Sequence, residues 1–213
     1  MLYERLRSTY RETTMHNFFP AYLLDNFYKY VSQQNHRNRK YLSPYKFANE
    51  NSIPVNDSIK FFLFLTGEDK PLDIVYFFEC SSMLCGHRNF FTKDEFVDLN
   101  NISSSSFICE ECEKPYEYHD IKSFIKVYFI VNNNYPEQSY DPNSTYSTLE
   151  EMMPYLKEMS PSSMTGNNTN KDEGDDIAVG LDVLSELNKT STGTIISQSF
   201  EETMFYINGF IKK

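Results

Sequence analysis

Apolar residues recur at helical spacing through the first third of the chain and then switch to dense aromatic and β-branched runs, so the pattern predicts helices first and a small antiparallel sheet after them. Between Phe18 and Gln34 the positions Leu23, Leu24, Phe27, Tyr28 and Val31 fall three and four residues apart, which predicts an amphipathic helix ended by the polar stretch HRNRK at 36–40. Ser43-Pro44 is a helix start, because a serine side chain caps free amides and proline suits the first turn. That helix ends near Asn51. After a turn through Ile53-Pro54-Val55, Asn56 or Asp57 is expected to cap a second helix carrying Ile59, Phe61, Phe62, Phe64 and Leu65, with Gly67 as its left-handed cap. Two helices joined by a tight turn, preceded by a longer one, form a helix-turn-helix pattern. Residues 1–16 fit a short helix with Leu2 and Leu6 on one side, or a polar arm.

The run DIVYFFEC at 73–80 reads as a strand that delivers Cys80 at its end, in the place of a wing. Further strands are expected at 88–91, 105–109 and 121–131. Beyond Asn132 the composition becomes turn-rich, and 159–176 has a linker's composition, so the folded boundary is placed near 134. Three helical segments are read in the tail: LEEMMPYLKEM at 149–159, IAVGLDVLSELNK at 177–189, and 199–213. The last puts Phe200, Met204, Ile207 and Ile211 on one face with Glu201 and Glu202 in its first turn, and is expected to be a helix only when bound, either to this protein's own body or to a partner. The organisation expected is therefore an arm or short helix at 1–17, a winged-helix-like domain at 18–79, a zinc ribbon at 80–134, and an acidic, partly disordered tail at 135–213 whose docking helix is 199–213. The fold class is α+β.

Charge changes where a partner can sit. The chain of 213 residues has a net charge of −10, but residues 1–50 carry +4, residues 51–134 carry −6 and residues 135–213 carry −8. Any polyanion contact is then confined to the N-terminal quarter, where Arg37, Arg39 and Lys40 cluster and Arg5, Arg7 and Arg11 lie nearby in sequence. A solvated loop explains the same cluster equally simply. The N-terminus is charged and lacks an apolar signal core, and no apolar run approaches the length needed to span a bilayer, so a cytoplasmic protein without membrane contact is expected.

The chemistry lies in the four cysteines. Cys80-x4-Cys85 and Cys109-x2-Cys112 form two hooks separated by 23 residues, each between predicted strands. Four thiolates at about 2.3 Å complete the tetrahedron of a structural Zn²⁺ ion. Gly86, directly after Cys85, supplies a tight turn behind the first hook; Glu113 stands at the equivalent place in the second. The competing readings are buried or free thiols, a disulfide, or a site in which His87 or His119 replaces one cysteine. The inventory contains no phosphate-binding GxxxxGK[ST], HExxH or GxSxG, and a closed four-thiolate site offers no open position for activating water, so an enzyme with a small-molecule substrate is not expected.

The segments KFANENSIPVNDSIKFFLFLTG, FFECSSMLCGH and FICEEC together resemble bacterial winged-helix domains fused to a zinc ribbon. The resemblance covers 18–131, a little over half the chain. It implies a module of the kind found in transcription regulators and in accessory subunits of multi-protein systems, antiviral defence complexes among them. A non-catalytic adaptor docking on larger protein subunits is the first expectation. A DNA-binding regulator using Arg37, Arg39 and Lys40 on duplex DNA is the alternative, and an enzyme with an unrecognised site is a further one. Against the DNA reading, the second helix of the pair offers only Asn56, Asp57, Ser58 and Lys60 to a groove, and the rest of it is apolar nearly all round.

Overall fold

A computed structural model describes residues 2–101, 106–117, 121–132 and 177–209, and these form a mixed α+β structure. Four helices come first: α1 (Leu2–Glu12), α2 (Tyr22–His36), α3 (Pro44–Asn51) and α4 (Val55–Phe64). The stripe on α2 is Leu23, Leu24, Phe27, Tyr30, Val31 and Gln34, all buried. Tyr28, expected on it, is turned outward, because the buried set follows a 3.6-residue drift and Tyr30 holds that place instead. The Tyr30 hydroxyl accepts from the Ser43 amide at 2.9 Å and lies 3.1 Å from the Ser43 carbonyl, fixing the entry to α3. Ser43 caps α3 with Pro44 in its first turn, and Ser52 ends it in the left-handed region.

The start of α4 differs from expectation. It begins at Val55 behind Pro54, with no side-chain cap, and Asn56 and Asp57 lie inside its first turn. Its other end also differs: the helix stops at Phe64, and Gly67 belongs to the following reversal, where its amide donates to the Leu72 carbonyl and the Leu72 amide donates to Leu65. Ile59, Phe61, Phe62, Leu63 and Phe64 are all buried. They meet Phe19, Phe27 and Phe47 ring on ring, which makes α4 the centre of the core.

The chain then enters a four-stranded antiparallel sheet of order β2-β1-β5-β6, with β1 Leu72–Glu79, β2 Arg88–Phe91, β5 Lys126–Val131 and β6 Val179–Gly180. The pairing of Tyr76 with Phe91 and with Val127 puts Ile74, Tyr76, Phe78, Val127 and Phe129 on one face. That face packs on the helices through Phe62 against Phe129, and on α5 (Lys93–Asn101) through Tyr76 stacked on Phe96 at 4.5 Å. On the other face Tyr41, Tyr128, Phe77 and Phe90 stack successively, beside Glu79, which bonds both Arg88 and Lys126. A second, two-stranded sheet, β3 Ser106–Ile108 with β4 Pro115–Glu117, leans on the first where Phe107 and Tyr116 pack edge-on against Phe78.

The boundary expected near 134 is not where packing ends. Residues 177–209 rejoin the body: β6 extends the main sheet on β5, α6 (Leu181–Leu187) buries Leu181 and Leu184, and α7 (Gln198–Gly209) lies against α5. The strand pairing of β1 with β5 likewise crosses the division expected at 79/80. The reason is that a strand as apolar as DIVYFFEC needs neighbours on both sides, and the chain supplies one from the next strand, β2, and the other from the distant β5. The expected helix at 149–159 lies outside the described residues. Among the described residues no helix is long and apolar enough to cross a membrane.

Candidate metal centre

The end of β1 and the start of β2 form the first hook, and the turn between β3 and β4 forms the second. In each hook the first cysteine's amide donates to the carbonyl two residues past the second cysteine: Cys80 to His87 at 2.8 Å, and Cys109 to Lys114 at 3.0 Å. In each, the residue directly after the second cysteine is left-handed, Gly86 at φ 60° and Glu113 at φ 57°. Glycine adopts this conformation freely, and a side chain there costs about 1–2 kcal/mol, so the second turn is the strained one. The two hooks are thus the same local device built twice, with different loop lengths.

The fold brings all four sulfurs within 4.8 Å of one another. Cys80 and Cys112 are 3.5 Å apart, Cys85 and Cys109 3.8 Å. Four ligands at about 2.3 Å from a tetrahedral ion lie about 3.8 Å from each other, so the donor set fits one such ion. A disulfide requires about 2.05 Å, and all four thiols are free. Cys80 and Cys109 are buried, Cys85 is half-buried and Cys112 is exposed.

Hydrogen bonds already prepare the sulfurs for a cation. The Tyr116 hydroxyl, carried on β4, lies 3.0 Å from Cys80 Sγ and accepts from the Ser81 amide at 2.9 Å, joining the two hooks. Asn89, fully buried on β2, points Nδ2 at Cys109 Sγ at 3.7 Å while its Oδ1 accepts from the Glu110 amide at 3.1 Å. Burial raises the Cys109 thiol, but donation from the Cys112 and Glu111 amides and from Asn89 outweighs it and brings the group down to about 6. Cys80 is lowered in the same way: burial opposes, and the Tyr116 hydroxyl and Ser82 amide prevail. For Cys85 the His87 amide favours the thiolate, yet burial and the neighbouring sulfurs push it up to about 12, and Cys112 is raised as well. Four thiolates repel one another, so without a cation they do not all ionise easily. A divalent ion removes that conflict.

Of the histidines, His87 turns its ring to Glu110, with Nε2 3.7 Å from Oε2, and stands apart from the sulfur cluster; His119 lies outside the described residues. The proposed phosphate contacts occupy the connection from α2 to α3. Arg37 and Lys40 are exposed there, Arg39 is half-buried, and the Lys40 ammonium sits 5.9 Å over the Tyr41 ring. Phe200, assigned to docking, is 1 % exposed and Met204 packs against the same core, so both are occupied by the chain's own body. The Ile207 side chain and Ile211 lie outside the described residues.

Three features escape the sequence reading. Two are Tyr116 and Asn89; the signal for them is a tyrosine and an amide within a few residues of cysteine hooks, where outer partners of such a site are found. The third is Met83-Leu84, two large apolar residues inside the loop between Cys80 and Cys85, a segment too short to bury them. Comparison with known proteins gives no match among protein-family models, curated proteins or solved structures.

Proposed function

We propose that the chain is a non-catalytic accessory subunit, a winged-helix and zinc-ribbon body braced by one structural Zn²⁺ that docks on larger protein subunits. The observation that carries this is the sulfur cluster itself: four protein thiols converge from two hooks to within 4.8 Å of one another, a donor set sufficient for every position of one tetrahedral ion. Such a site has no place for substrate or activated water, and its energetic role is to hold loops together. Zinc suits an all-sulfur tetrahedron that is prepared by hydrogen-bond donors and built to be rigid.

The burial of α4 supports the same reading. A recognition helix must lie open to the major groove, whereas α4 leaves only its first turn exposed. The second reading, a duplex-DNA regulator, is favoured by the exposure of Arg37 and Lys40 on one connection. It requires a salt-dependent shift on duplex DNA that disappears in Arg37→Ala/Arg39→Ala/Lys40→Ala. The test of the accessory reading is size-exclusion chromatography with light scattering on the tagged full chain drawn from the cells that encode it. A defined species well above the 25.1 kDa of the chain is expected. A monodisperse 25.1 kDa protein overturns it.

A further inference from the structure

Met83 and Leu84 are 102 % and 101 % exposed, more open than any other large apolar side chain among the described residues. A pair of adjacent, fully exposed apolar side chains is costly to keep in water, and flexible loops hide such residues by folding them back. This loop cannot fold back. It begins and ends on two sulfurs of one cluster, the Cys85 amide donates to the Ser82 carbonyl at 3.0 Å, and Ser81 is fixed by Tyr116 and by the Lys114 ammonium at 3.1 Å. Ile108, at the root of the second hook, is 54 % exposed as well.

The charge around this tip identifies its counterpart. Glu110, Glu111 and Glu113 are all exposed on the second hook, whose sulfurs lie 3.5 and 3.8 Å from those of the first. The cations at this end are engaged: Lys114 holds Ser81 and lies over the Tyr116 ring, and Arg88 pairs with Glu79 at 3.1 Å. The apolar tip thus stands on a hook whose neighbour carries an acidic collar of three exposed carboxylates. Nucleic acid and anionic lipid surfaces are repelled by that collar, while a protein surface with an apolar pocket rimmed by lysine and arginine is complementary to both parts.

We propose that the Met83-Leu84 tip is the primary docking element of this chain and inserts into a basic-rimmed apolar pocket on a protein partner. This rests on the accessory-subunit reading. Immobilising the knob on the sulfur cluster removes the entropy a free loop loses on docking, which is how two side chains serve as an anchor.

The test places a photo-crosslinking benzophenone side chain at Leu84 in the full chain, with Tyr22, exposed at the helical end, as control position. Irradiation in the native cells should join position 84, and not 22, to one protein. That protein, purified, should bind the wild-type chain, and Met83→Ser/Leu84→Ser should weaken binding by about 30-fold or more, as truncating an anchor does. Glu110→Gln/Glu111→Gln/Glu113→Gln should weaken it by about tenfold and flatten its salt dependence. Metal content and thermal midpoint should stay at wild-type values in both. Several results overturn the proposal: cross-linking at 22 only, cross-links to lipid or to a second copy of this chain, or affinity unchanged in the apolar variant. If the chain assembles but position 84 yields no cross-link, the tip is refuted and the accessory reading stands. If it does not assemble at all, both fall.

Discussion

Truncating Phe200 to alanine tests whether the C-terminal helix is part of the body. Phe200 is 1 % exposed and belongs to the same core as Phe96 and Tyr76. The segment before it is anchored by polar bonds. Asn188, wholly buried, accepts from the Ser197 amide at 2.8 Å and donates to Glu201 at 3.0 Å, and the Ser197 hydroxyl donates to the Thr66 carbonyl at 3.1 Å. Thr203, one turn on, is buried as well, and its hydroxyl donates to the Ser199 carbonyl at 2.9 Å. Because these bonds hold the backbone in place, the site cannot collapse around the lost ring, and a cost of about 3–5 kcal/mol is expected. For a folded body of this size that lowers the midpoint by roughly 10 °C. Urea unfolding at fixed metal loading, followed by far-ultraviolet circular dichroism, should show a lower midpoint with an unchanged slope. Phe205→Ala, on the exposed side of the same helix, should change stability by no more than about 0.5 kcal/mol. A Phe200→Ala effect below about 1 kcal/mol would show that the helix is not part of the core and would restore it to the docking role that its amphipathic sequence suggests.

Tyr116→Phe removes the hydroxyl that lies 3.0 Å from Cys80 Sγ and should lower metal affinity by about 10- to 100-fold in competition with a chromogenic chelator, leaving the stoichiometry intact. Glu113→Gly relieves a left-handed side chain at φ 57° and should raise stability by about 1 kcal/mol in thermal unfolding. Glu79 is held below the ordinary glutamate value of 4.5 chiefly by the Lys126 hydrogen bond, and also by Arg88. A depressed folded-state value contributes stability above pH 4.5 that is lost as the pH falls through the folded value, so Glu79→Gln should lose that acid-dependent increment. Its side chain is 38 % exposed, and screening holds the effect to about 0.5 kcal/mol at neutral pH.

How much of this was legible in the sequence depended on the range of the interaction. The α2 stripe apart from Tyr28, the Ser43-Pro44 start, the strand into Cys80 and the two cysteine hooks all follow from local spacing, and they stand where periodicity places them. Helix α5 was missed although its signal was present: Thr92 and Glu95 form a capping box, with the Thr92 amide bonded to Glu95 at 2.8 Å and the Glu95 amide to the Thr92 hydroxyl at 3.2 Å. The start of α4 was misread because asparagine and aspartate are good caps in general, while here Pro54 already fixes the entry and the Ser58 hydroxyl is spent on the Pro44 carbonyl. The return of 177–209 to the body was not visible, since β6 is two residues long and its pairing with β5 spans a long stretch of turn-rich chain. Local composition cannot report a contact of that sequence separation. The exposure of Met83 and Leu84 was readable in principle, because four residues between two ligands of one ion leave no room for an interior.

The central claim is that the four sulfurs hold one structural zinc ion, and the direct measurement is metal content per chain by plasma mass spectrometry on protein purified without chelators. One equivalent of zinc is expected in the wild type and none in Cys109→Ser/Cys112→Ser, with the double variant losing the β3–β4 sheet and keeping α2 helical. Wild-type protein that carries no zinc, or whose zinc survives the double substitution, would contradict the account.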